Sequence, residues 1–531
     1  MKSSKAFWAL GMLITITAWA PTLGVAYTSE AERSAGTGRP GSPSAQTPQQ
    51  TAERVTVTVL PGARQVFGGL GISQNNFRLP YNRLTPERRA LLAQLLFRDL
   101  RLKVLRLWWD VPTFAPAAGP RNPAPFLEAY ARSGVIADAR AYGVTTLLLA
   151  PDHVPAYLLE DPTKPNSLIK ASEAGRYAAL IAEFIQLLRD KHGIHIDVTG
   201  VANEPPWFTP ATMAGTVRAL RTELDRRGLQ RVRIVATEQP NNDDVTDSFL
   251  AALKADPRAW GSLAGIATHS YNMAAREAEA QFVTGAGGQN IKEFWITESG
   301  GGVGLPPSEP PLDARQAASM ASRFLSDMNH QVTHWVWFLG AEEVDKWPEA
   351  FDNVPRLIEY QPDRSGDWYL PLLKYYYFKR LSQTFDPGAV FRAVQSSPEG
   401  KAEGREGEMT WTYGRKPRLT AAAARNPDGA WVVALSNYTS DDFVFPAMTQ
   451  FDRDNTGQVA RTFNVTLHLP ELAAARAVKF RMHRNSSTLR DVDEGTVTMR
   501  DGVVVIPDVG PLQLVTLRST TLKTTGAPGR K

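Results

Sequence analysis

The chain has 531 residues and no Cys, which excludes disulfide bonds, thiolate nucleophiles and Cys-based zinc sites together. Lys and Arg number 59 against 54 Asp and Glu, and both signs are mixed without a long basic block, so the net charge of +5 is weak evidence for a nucleic-acid partner and fits a neutral polymer better. The length is sufficient for a barrel of about 250 residues and a second folded domain.

The first segment, residues 1–26, is predicted to be an export signal. Two Lys residues precede an apolar run over 6–20, and Gly-Val-Ala at 24–26 places small residues where a signal peptidase cuts. The earlier Ala-Trp-Ala at 18–20 is disfavoured because Pro21 would follow the cut. A retained anchor is also disfavoured, since about 15 apolar residues fall short of the roughly 20 that span a bilayer. We expect cleavage after Ala26 and a secreted or periplasmic protein.

Residues 27–52 are predicted to form a disordered linker. They are rich in Ser, Thr, Pro, Gly and Gln and almost lack large apolar residues, so burial cannot offset the entropy of ordering them. The next segment, 53–64, contains a β-branched run with alternating polarity at 54–60. It is predicted to be a strand that joins a β-sandwich formed by the C-terminal part of the chain.

Strand and helix patterns then alternate eight times over residues 65–384. The strands are mostly apolar, which indicates burial on both faces and favours a closed parallel (β/α)8 barrel, an α/β fold of the TIM-barrel type. An open Rossmann-type sheet is the alternative, but Gly68-Gly69-Leu70-Gly71 has the wrong spacing for its phosphate-binding loop. The eight predicted strands are 65–73, 103–109, 145–150, 198–204, 231–238, 262–271, 293–298 and 332–339.

From residue 385 to 519 the pattern contains strands only. Asn426-Pro427-Asp428-Gly429 between two of them is a strong turn signal. The segment is therefore predicted to form an antiparallel β-sandwich, and the last residues, 520–531, are predicted to be a flexible tail.

Two Glu residues, each placed directly after a strand-type run, carry the functional prediction. Glu204 ends the fourth strand between Asn203 and Pro205, and Glu298 ends the seventh. Carboxyl ends of barrel strands open into one cleft, so the two carboxyls are expected to face each other across a glycosidic bond. We predict Glu204 as the acid/base and Glu298 as the nucleophile, with Asn203 hydrogen-bonding a sugar hydroxyl. The alternative is two solvated charges in loops.

Other residues at strand ends are predicted to complete the site. Arg106 would hydrogen-bond the nucleophile and keep it ionised, or else form a barrel salt bridge. His269 and Tyr271 would position Glu298, although a lone His is also common in cores. The remaining predicted substrate contacts, each with core or loop roles as alternatives, are Trp109, Asp152, Trp207 and Trp337, accompanied by Trp108, His153 and Phe208. The eight His residues lack an HExxH pair, and we expect no metal and no cofactor.

These motifs resemble a clan of retaining (β/α)8 glycosidases that carry Asn-Glu-Pro on strand four and Glu on strand seven. Within it the chain is most similar to family 30, the glucosylceramidase, xylanase and β-1,6-glycanase family, as a distant member. The resemblance implies a β-sandwich beside the barrel and the roles given above for Asn203, Glu204 and Glu298. The matching pieces, in family order, are Val66-Phe67-Gly68-Gly69, Gly200-Val201-Ala202-Asn203-Glu204-Pro205, Ile266-Ala267-Thr268-His269-Ser270-Tyr271, Ile296-Thr297-Glu298, Trp335-Val336-Trp337, Lys374-Tyr375-Tyr376-Tyr377 and Phe385-Asp386-Pro387-Gly388.

The chain departs from the family pattern at two strand ends. Strand three continues as Ala150-Pro151-Asp152-His153-Val154-Pro155-Ala156-Tyr157 instead of a Ser-Pro-Trp-Ser-Pro-Pro-Ala-Trp-like run, and strand eight ends in Phe338-Leu339 instead of Trp-Gln. The subsite that reads the sugar is therefore expected to differ.

The combined expectation is an exported retaining β-glycosidase acting on β-linked glycans or glycosides. Its partner would be a carbohydrate substrate, with no nucleic acid and no stable membrane insertion, and we expect a monomer. A non-catalytic carbohydrate-binding protein on the same fold is the alternative, and a surface adhesion or scaffold protein is a third. Neither the sugar nor the linkage follows from fold or motif alone.

Overall fold

The computed structural model describes residues 52–74, 81–271, 274–300, 312–343, 356–397, 418–441 and 459–520. The predicted export signal (1–26), all but the last residue of the predicted linker (27–52) and all but the first residue of the predicted tail (520–531) lie outside the described residues. Among the helices in the described ranges, none has both the length and the apolar character needed to cross a membrane.

Eight parallel strands close into a barrel, which confirms the predicted fold class. Seven of them have five to eight residues, but the fourth is reduced to Val198–Thr199. Beyond it the chain stays attached to both neighbouring strands through single main-chain bonds: Asn203 N–H donates to Pro151 O on the third strand and Glu204 N–H to Glu238 O on the fifth. The strands are Gly69–Ser73, Val104–Asp110, Thr146–Asp152, Val198–Thr199, Arg233–Gln239, Leu263–Ser270, Glu293–Ser299 and His334–Phe338.

Side chains fill the interior of the barrel, so it is a packed core and not a pore. Trp295 is its largest member and stacks on His334 with ring centroids 3.6 Å apart. Burial lowers the pKa of His334 to about 3, so the imidazole in this stack is neutral. The other members of this layer are Val104, Leu148, Val198, Val235, Ala267 and Val336.

Helices surround the barrel and bury their apolar faces against the outer side chains of the strands. Their starts carry the expected signals: Thr85, Thr209 and Asp243 each accept a hydrogen bond from the first turn. The helices are Pro86–Ala93, Val111–Phe114, Ala124–Phe126, Val135–Ala141, Ala174–His192, Pro210–Arg226, Asp244–Ala255, Pro257–Ser262, Glu277–Val283, Leu312–Asn329 and Leu373–Thr384, with π-helical turns at Gln94–Arg98 and Leu127–Arg132.

A second, ten-stranded sheet packs against the last two helices. It is antiparallel except where Glu53–Val59 runs parallel to Phe463–His468. Ser322 of the helix Leu312–Asn329 bonds Ser436 of this sheet at 2.9 Å, and Tyr377 donates to Leu512 O. Together with the barrel this sheet accounts for the predicted TIM barrel and β-sandwich. In spatial order its strands are Val390–Arg392, Leu419–Arg425, Trp431–Asn437, Leu514–Ser519, Ala477–Asn485, Val492–Arg500, Val503–Val509, Phe463–His468, Glu53–Val59 and Val394–Ser396.

A third, small sheet follows the eighth barrel strand and has no counterpart in the sequence prediction. It contains Ala341–Glu343, Ile358–Tyr360 and Tyr369–Pro371.

Candidate active site

Glu204 and Glu298 lie at the same end of the barrel, where the strands end. One carboxylate oxygen of each and a ring nitrogen of His269 all lie within 4.8 Å of one another. The Glu298 side chain is almost fully buried, whereas that of Glu204 is 30% exposed. The deeper carboxyl is thus shielded from water and the shallower one faces the opening.

Glu298 is held by a charged partner on strand two, across the barrel, and by a polar partner directly after the neighbouring strand six. Arg106 Nη1 donates to its Oε1, and the Tyr271 hydroxyl donates to Oε2 at 2.6 Å. Burial alone would raise the pKa of Glu298, but the charges of Arg106 and His269 and these hydrogen bonds hold it below the usual value. Burial raises the pKa of Tyr271 well above its ordinary range, so the phenol remains a donor. The site therefore stabilises Glu298 as an anion.

Arg106 connects the nucleophile candidate to the fourth strand. Its guanidinium is fully buried, and Nη2 donates to Asn203 Oδ1 at 2.8 Å. Asn203 is thereby oriented beside Glu204. Of the two roles predicted for Arg106, the structure supports the bond to Glu298, and the same arginine also anchors the amide.

His269 contacts Glu204 more closely than Glu298. Its Nδ1 lies 2.9 Å from Glu204 Oε1 and 3.6 Å from Glu298 Oε2. Burial would lower the pKa of His269, but the neighbouring carboxylates Glu298 and Glu204 raise it overall. Sequence reasoning assigned His269 to Glu298, whereas the geometry makes it chiefly a partner of Glu204.

The predicted contacts on strand three form a charged cluster at the strand ends. His153 Nδ1 lies 3.0 Å from Asp110 Oδ1 and 3.1 Å from Asp152 Oδ2. Burial opposes protonation of His153, but the two carboxylates raise its pKa to about 10. The Trp207 ring packs beside His153, with centroids 5.3 Å apart, and its indole N–H donates to Pro165 O at 2.6 Å.

Two of the predicted aromatic contacts lie outside the cleft, and this corrects the sequence prediction. Trp109 stacks on Phe184 of a surrounding helix, with centroids 4.1 Å apart and an interplanar angle of 3°. Trp337 is buried in the same outer layer and stacks on Trp335. Both fail for the same reason: side chains alternate along a strand, and these two have the outward parity.

The aromatic side chains that point into the barrel are those of the residues next to these two in sequence. Trp108 shares the face of Arg106 on strand two and meets Phe338 edge-to-face, with ring centroids 6.3 Å apart. Phe338 was a departure from the family pattern in the sequence, and it is the aromatic residue that faces inward at the cleft end of strand eight.

Glu238, at the end of strand five, is a member of the cluster that sequence reasoning missed. Its side chain is fully buried, and Oε1 lies 3.4 Å from Arg106 Nη2. A signal was present, because Thr237-Glu238 repeats at strand five the Thr297-Glu298 pair of strand seven.

Glu204, His269 and Glu298 offer three ligand atoms that a metal ion could bind. Among the described residues this is the one group of three or more such side chains. The permanent charge of Arg106 lies against Glu298, however, so the more buried of the two carboxylate ligands is already neutralised. The arrangement favours an anionic side chain paired with a guanidinium over a cation site.

The fold and the convergence of strand-end carboxyls define the class of structure, a (β/α)8 barrel with an attached β-sandwich and a group of acidic side chains where the barrel strands end. No family model and no curated protein matches the sequence. Solved structures do match, and they confirm in fold the resemblance to family 30 that the motifs predict.

Three of these structures illustrate the likeness. The catalytic domain of the family 30 xylanase C from Talaromyces cellulolyticus superposes with a TM-score of 0.63 at 16% identity, covering 88% of this chain and 100% of that one. The family 30 subfamily 8 xylanase from Clostridium acetobutylicum gives 0.58 at 14% identity, covering 88% and 99%. An endo-β-1,6-glucanase gives 0.58 at 16% identity, covering 88% and 94%.

Proposed function

We propose that the protein is an exported retaining β-glycosidase that hydrolyses β-linked glycans or glycosides by double displacement. Glu204 is the acid/base and Glu298 the nucleophile. The likeness to glycosidases in fold supports this proposal, but the geometry of the two carboxyls carries it.

The single decisive observation is the separation of the carboxylates. Retaining enzymes place their two carboxyls about 5 to 5.5 Å apart, whereas inverting enzymes need about 6.5 to 9.5 Å to admit a water molecule. Oxygens of Glu204 and Glu298 approach within 4.8 Å. This spacing favours direct attack by a carboxylate over attack by an interposed water.

In the first step Glu298 attacks the anomeric carbon while Glu204 protonates the departing oxygen, which forms a glycosyl ester and releases the aglycone. The partial exposure of Glu204 suits a group that meets the leaving group and then water. In the second step Glu204 deprotonates a water molecule that cleaves the ester. Arg106 and Tyr271 favour the anion of Glu298 before attack and after release.

Substrate contacts are proposed for Asn203, Asp152 and Trp207, with Trp108 and Phe338 as the aromatic wall. Asn203 is oriented by Arg106 and lies beside the acid/base, where an amide suits a sugar hydroxyl. The matched structures include xylanases and an endo-β-1,6-glucanase, so xylosides and glucosides are the first substrates to test.

The test compares the wild type with Glu204→Gln and Glu298→Gln on a panel of aryl β-glycosides and β-linked polysaccharides. Glu293→Gln is the matched control, because Glu293 starts the strand that Glu298 ends and so lies at the opposite end of the barrel. We expect hydrolysis by the wild type and the control, near-complete loss in the other two, and a first-formed product with the β configuration in the NMR spectrum.

The alternative, a non-catalytic carbohydrate-binding protein, predicts binding of an oligosaccharide with no hydrolysis by any variant. An α-configured first product would instead refute the retaining mechanism. The proposal of export is tested separately, by sequencing the N-terminus of the protein recovered from outside the cytoplasm, which should begin at Tyr27.

A further inference from the structure

Glu238 is a third carboxyl in the cluster, with no role in the two-step reaction. Its side chain is fully buried, and its Oε1 lies 3.4 Å from Arg106 Nη2, the same nitrogen that donates to Asn203. The hydroxyl of Thr297, the residue before Glu298, is a further neighbour of this carboxyl. Burying a carboxyl costs free energy unless neighbouring groups hydrogen-bond to it.

Glu238 is linked to the acid/base through its main chain and to the nucleophile through its side chain and Arg106. The Glu204 N–H donates to the Glu238 carbonyl at 3.0 Å. Both residues have left-handed backbone conformations, with φ of 41° at Glu204 and 59° at Glu238. One residue thus contacts the main chain of Glu204 and, through Arg106, the side chain of Glu298.

The surroundings leave the Glu238 carboxyl little freedom. Gly200 lies against it so closely that a Cβ there would be 1.7 Å from Glu238 Oε2. The missing side chain at Gly200 is what makes room for the carboxyl, so its position is defined by packing as well as by Arg106.

Charge balance indicates the state of this carboxyl. Arg106 is the arginine that the Glu298 and Glu238 carboxyls share, and its closer contact is with Glu298. One guanidinium cannot balance two carboxylates, so with Glu298 ionised this group of three is neutral only when Glu238 is uncharged. An ionised Glu238 would leave one buried negative charge without a cation of its own, which is strongly unfavourable.

We propose that Glu238 is a positioning residue that, as an uncharged carboxylic acid, holds Arg106 against Glu298 and sets the placement of Glu204 through its main chain. Burial supports this state by raising the pKa of Glu238, an effect that Arg106 and His269 only partly oppose. The full charge of Arg106 is then left for the nucleophile. This inference rests on the proposed function.

The test compares Glu238→Gln, which keeps the shape and the neutral charge, with Glu238→Met and Glu238→Ala, which remove the polar group. We expect the Gln variant to retain at least a tenth of the wild-type kcat, with the acidic limb of kcat/KM in place. We expect the folded Met or Ala variant to lose roughly 10²-fold in kcat, as for a misplaced catalytic group. Their KM should change little and their acidic limb should move to higher pH, because a displaced Arg106 no longer favours the Glu298 anion.

Infrared spectroscopy tests the protonation state without relying on turnover. The wild type at neutral pH should show a stretching band of a protonated carboxyl that Glu238→Gln lacks and Glu293→Gln retains. Absence of that difference overturns the neutral assignment. A folded Met or Ala variant with the wild-type kcat and the wild-type acidic limb would overturn the positioning role. A Gln variant as impaired as the Met and Ala variants would overturn it too.

Failure of the proposed function is recognised separately. In that case the wild type hydrolyses nothing on the panel, or Glu298→Gln keeps its activity. The infrared band still reports on Glu238 in either event.

Discussion

Replacing Tyr271 with Phe tests how the protein keeps Glu298 ionised. The change removes one hydroxyl, whose oxygen lies 2.6 Å from Glu298 Oε2, and leaves the ring in place against Gly300. The bond to Arg106 is untouched. The variant therefore isolates one of the interactions that lower the pKa of the nucleophile.

The expected magnitude follows from the type of bond. A hydrogen bond to a charged group is worth about 1.5 to 3 kcal/mol, and a pKa change of one unit corresponds to about 1.4 kcal/mol. Loss of a bond made mainly to the anion should therefore raise the pKa of Glu298 by about one to two units. Because Glu298 must be ionised to attack, the acidic limb of kcat/KM should move to higher pH by the same amount.

Stability should respond in the same direction. A carboxyl whose pKa is lowered by folding stabilises the protein above its unfolded pKa and loses that contribution as the pH falls through the folded value. Tyr271→Phe reduces the difference between the two pKa values, so the variant should be less stable than the wild type at neutral pH and closer to it in acid.

The assay is kcat/KM for an aryl β-glycoside between pH 3 and pH 9. Tyr375→Phe is the matched control, because it also removes one buried hydroxyl, which donates to Leu95 O at 3.1 Å in the helical layer. Its acidic limb should coincide with that of the wild type. A folded Tyr271→Phe enzyme whose limb stays in place, or moves to lower pH, would refute this account of Glu298.

Three further predictions concern the acid/base, the space beside Glu238 and the aromatic layer. Glu204→Ala should lose roughly 10²- to 10⁴-fold in kcat/KM on glycosides with poor leaving groups and far less on those with good ones, and equal losses across a leaving-group series would contradict its role as the acid. Gly200→Ala should lower both Tm and kcat because its Cβ displaces Glu238, whereas Gly215→Ala, in a helix where the new Cβ would meet only Arg218 Nη2 at 3.8 Å, should leave kcat unchanged and not lower Tm. Trp109→Ala should reduce the free energy of unfolding by about 3 to 5 kcal/mol in urea without raising KM, and a raised KM with unchanged stability would return Trp109 to the cleft.

The barrel and the pair of catalytic candidates were predictable because both depend on strand order and on where strands end. Glu204 and Glu298 follow apolar runs, and a closed parallel barrel brings all such ends to one side. Arg106 was accessible by the same reasoning, since an arginine within an apolar strand needs a buried anion.

The parity of the aromatic residues on strand two was predictable only through Arg106. Trp108 and Trp109 are adjacent, so one must face the barrel and the other the helices, and nothing in their composition decides which. Knowing that Arg106 faces inward would have settled it, because Trp108 shares its face and Trp109 does not. On strand eight, too, the adjacent Trp337 and Phe338 must face opposite sides of the sheet.

Glu238 was missed for a different reason. Glu238 also ends a predicted strand, but it has neither the Asn-Glu-Pro context of Glu204 nor a place in the family motifs that include Glu298. Its importance comes from contacts with strands two and four that only the closed barrel creates.

The strand Glu53–Val59 has a consequence for how the chain assembles. It lies between Phe463–His468 and Val394–Ser396, so a strand that precedes the barrel in sequence pairs only with strands that follow the barrel. One edge of this strand stays unpaired until Val394–Ser396 has been made, just after the barrel, and the other edge until Phe463–His468 has been made. A chain truncated after the barrel would expose the unpaired edges of this strand to other molecules, and we expect such truncated chains to aggregate.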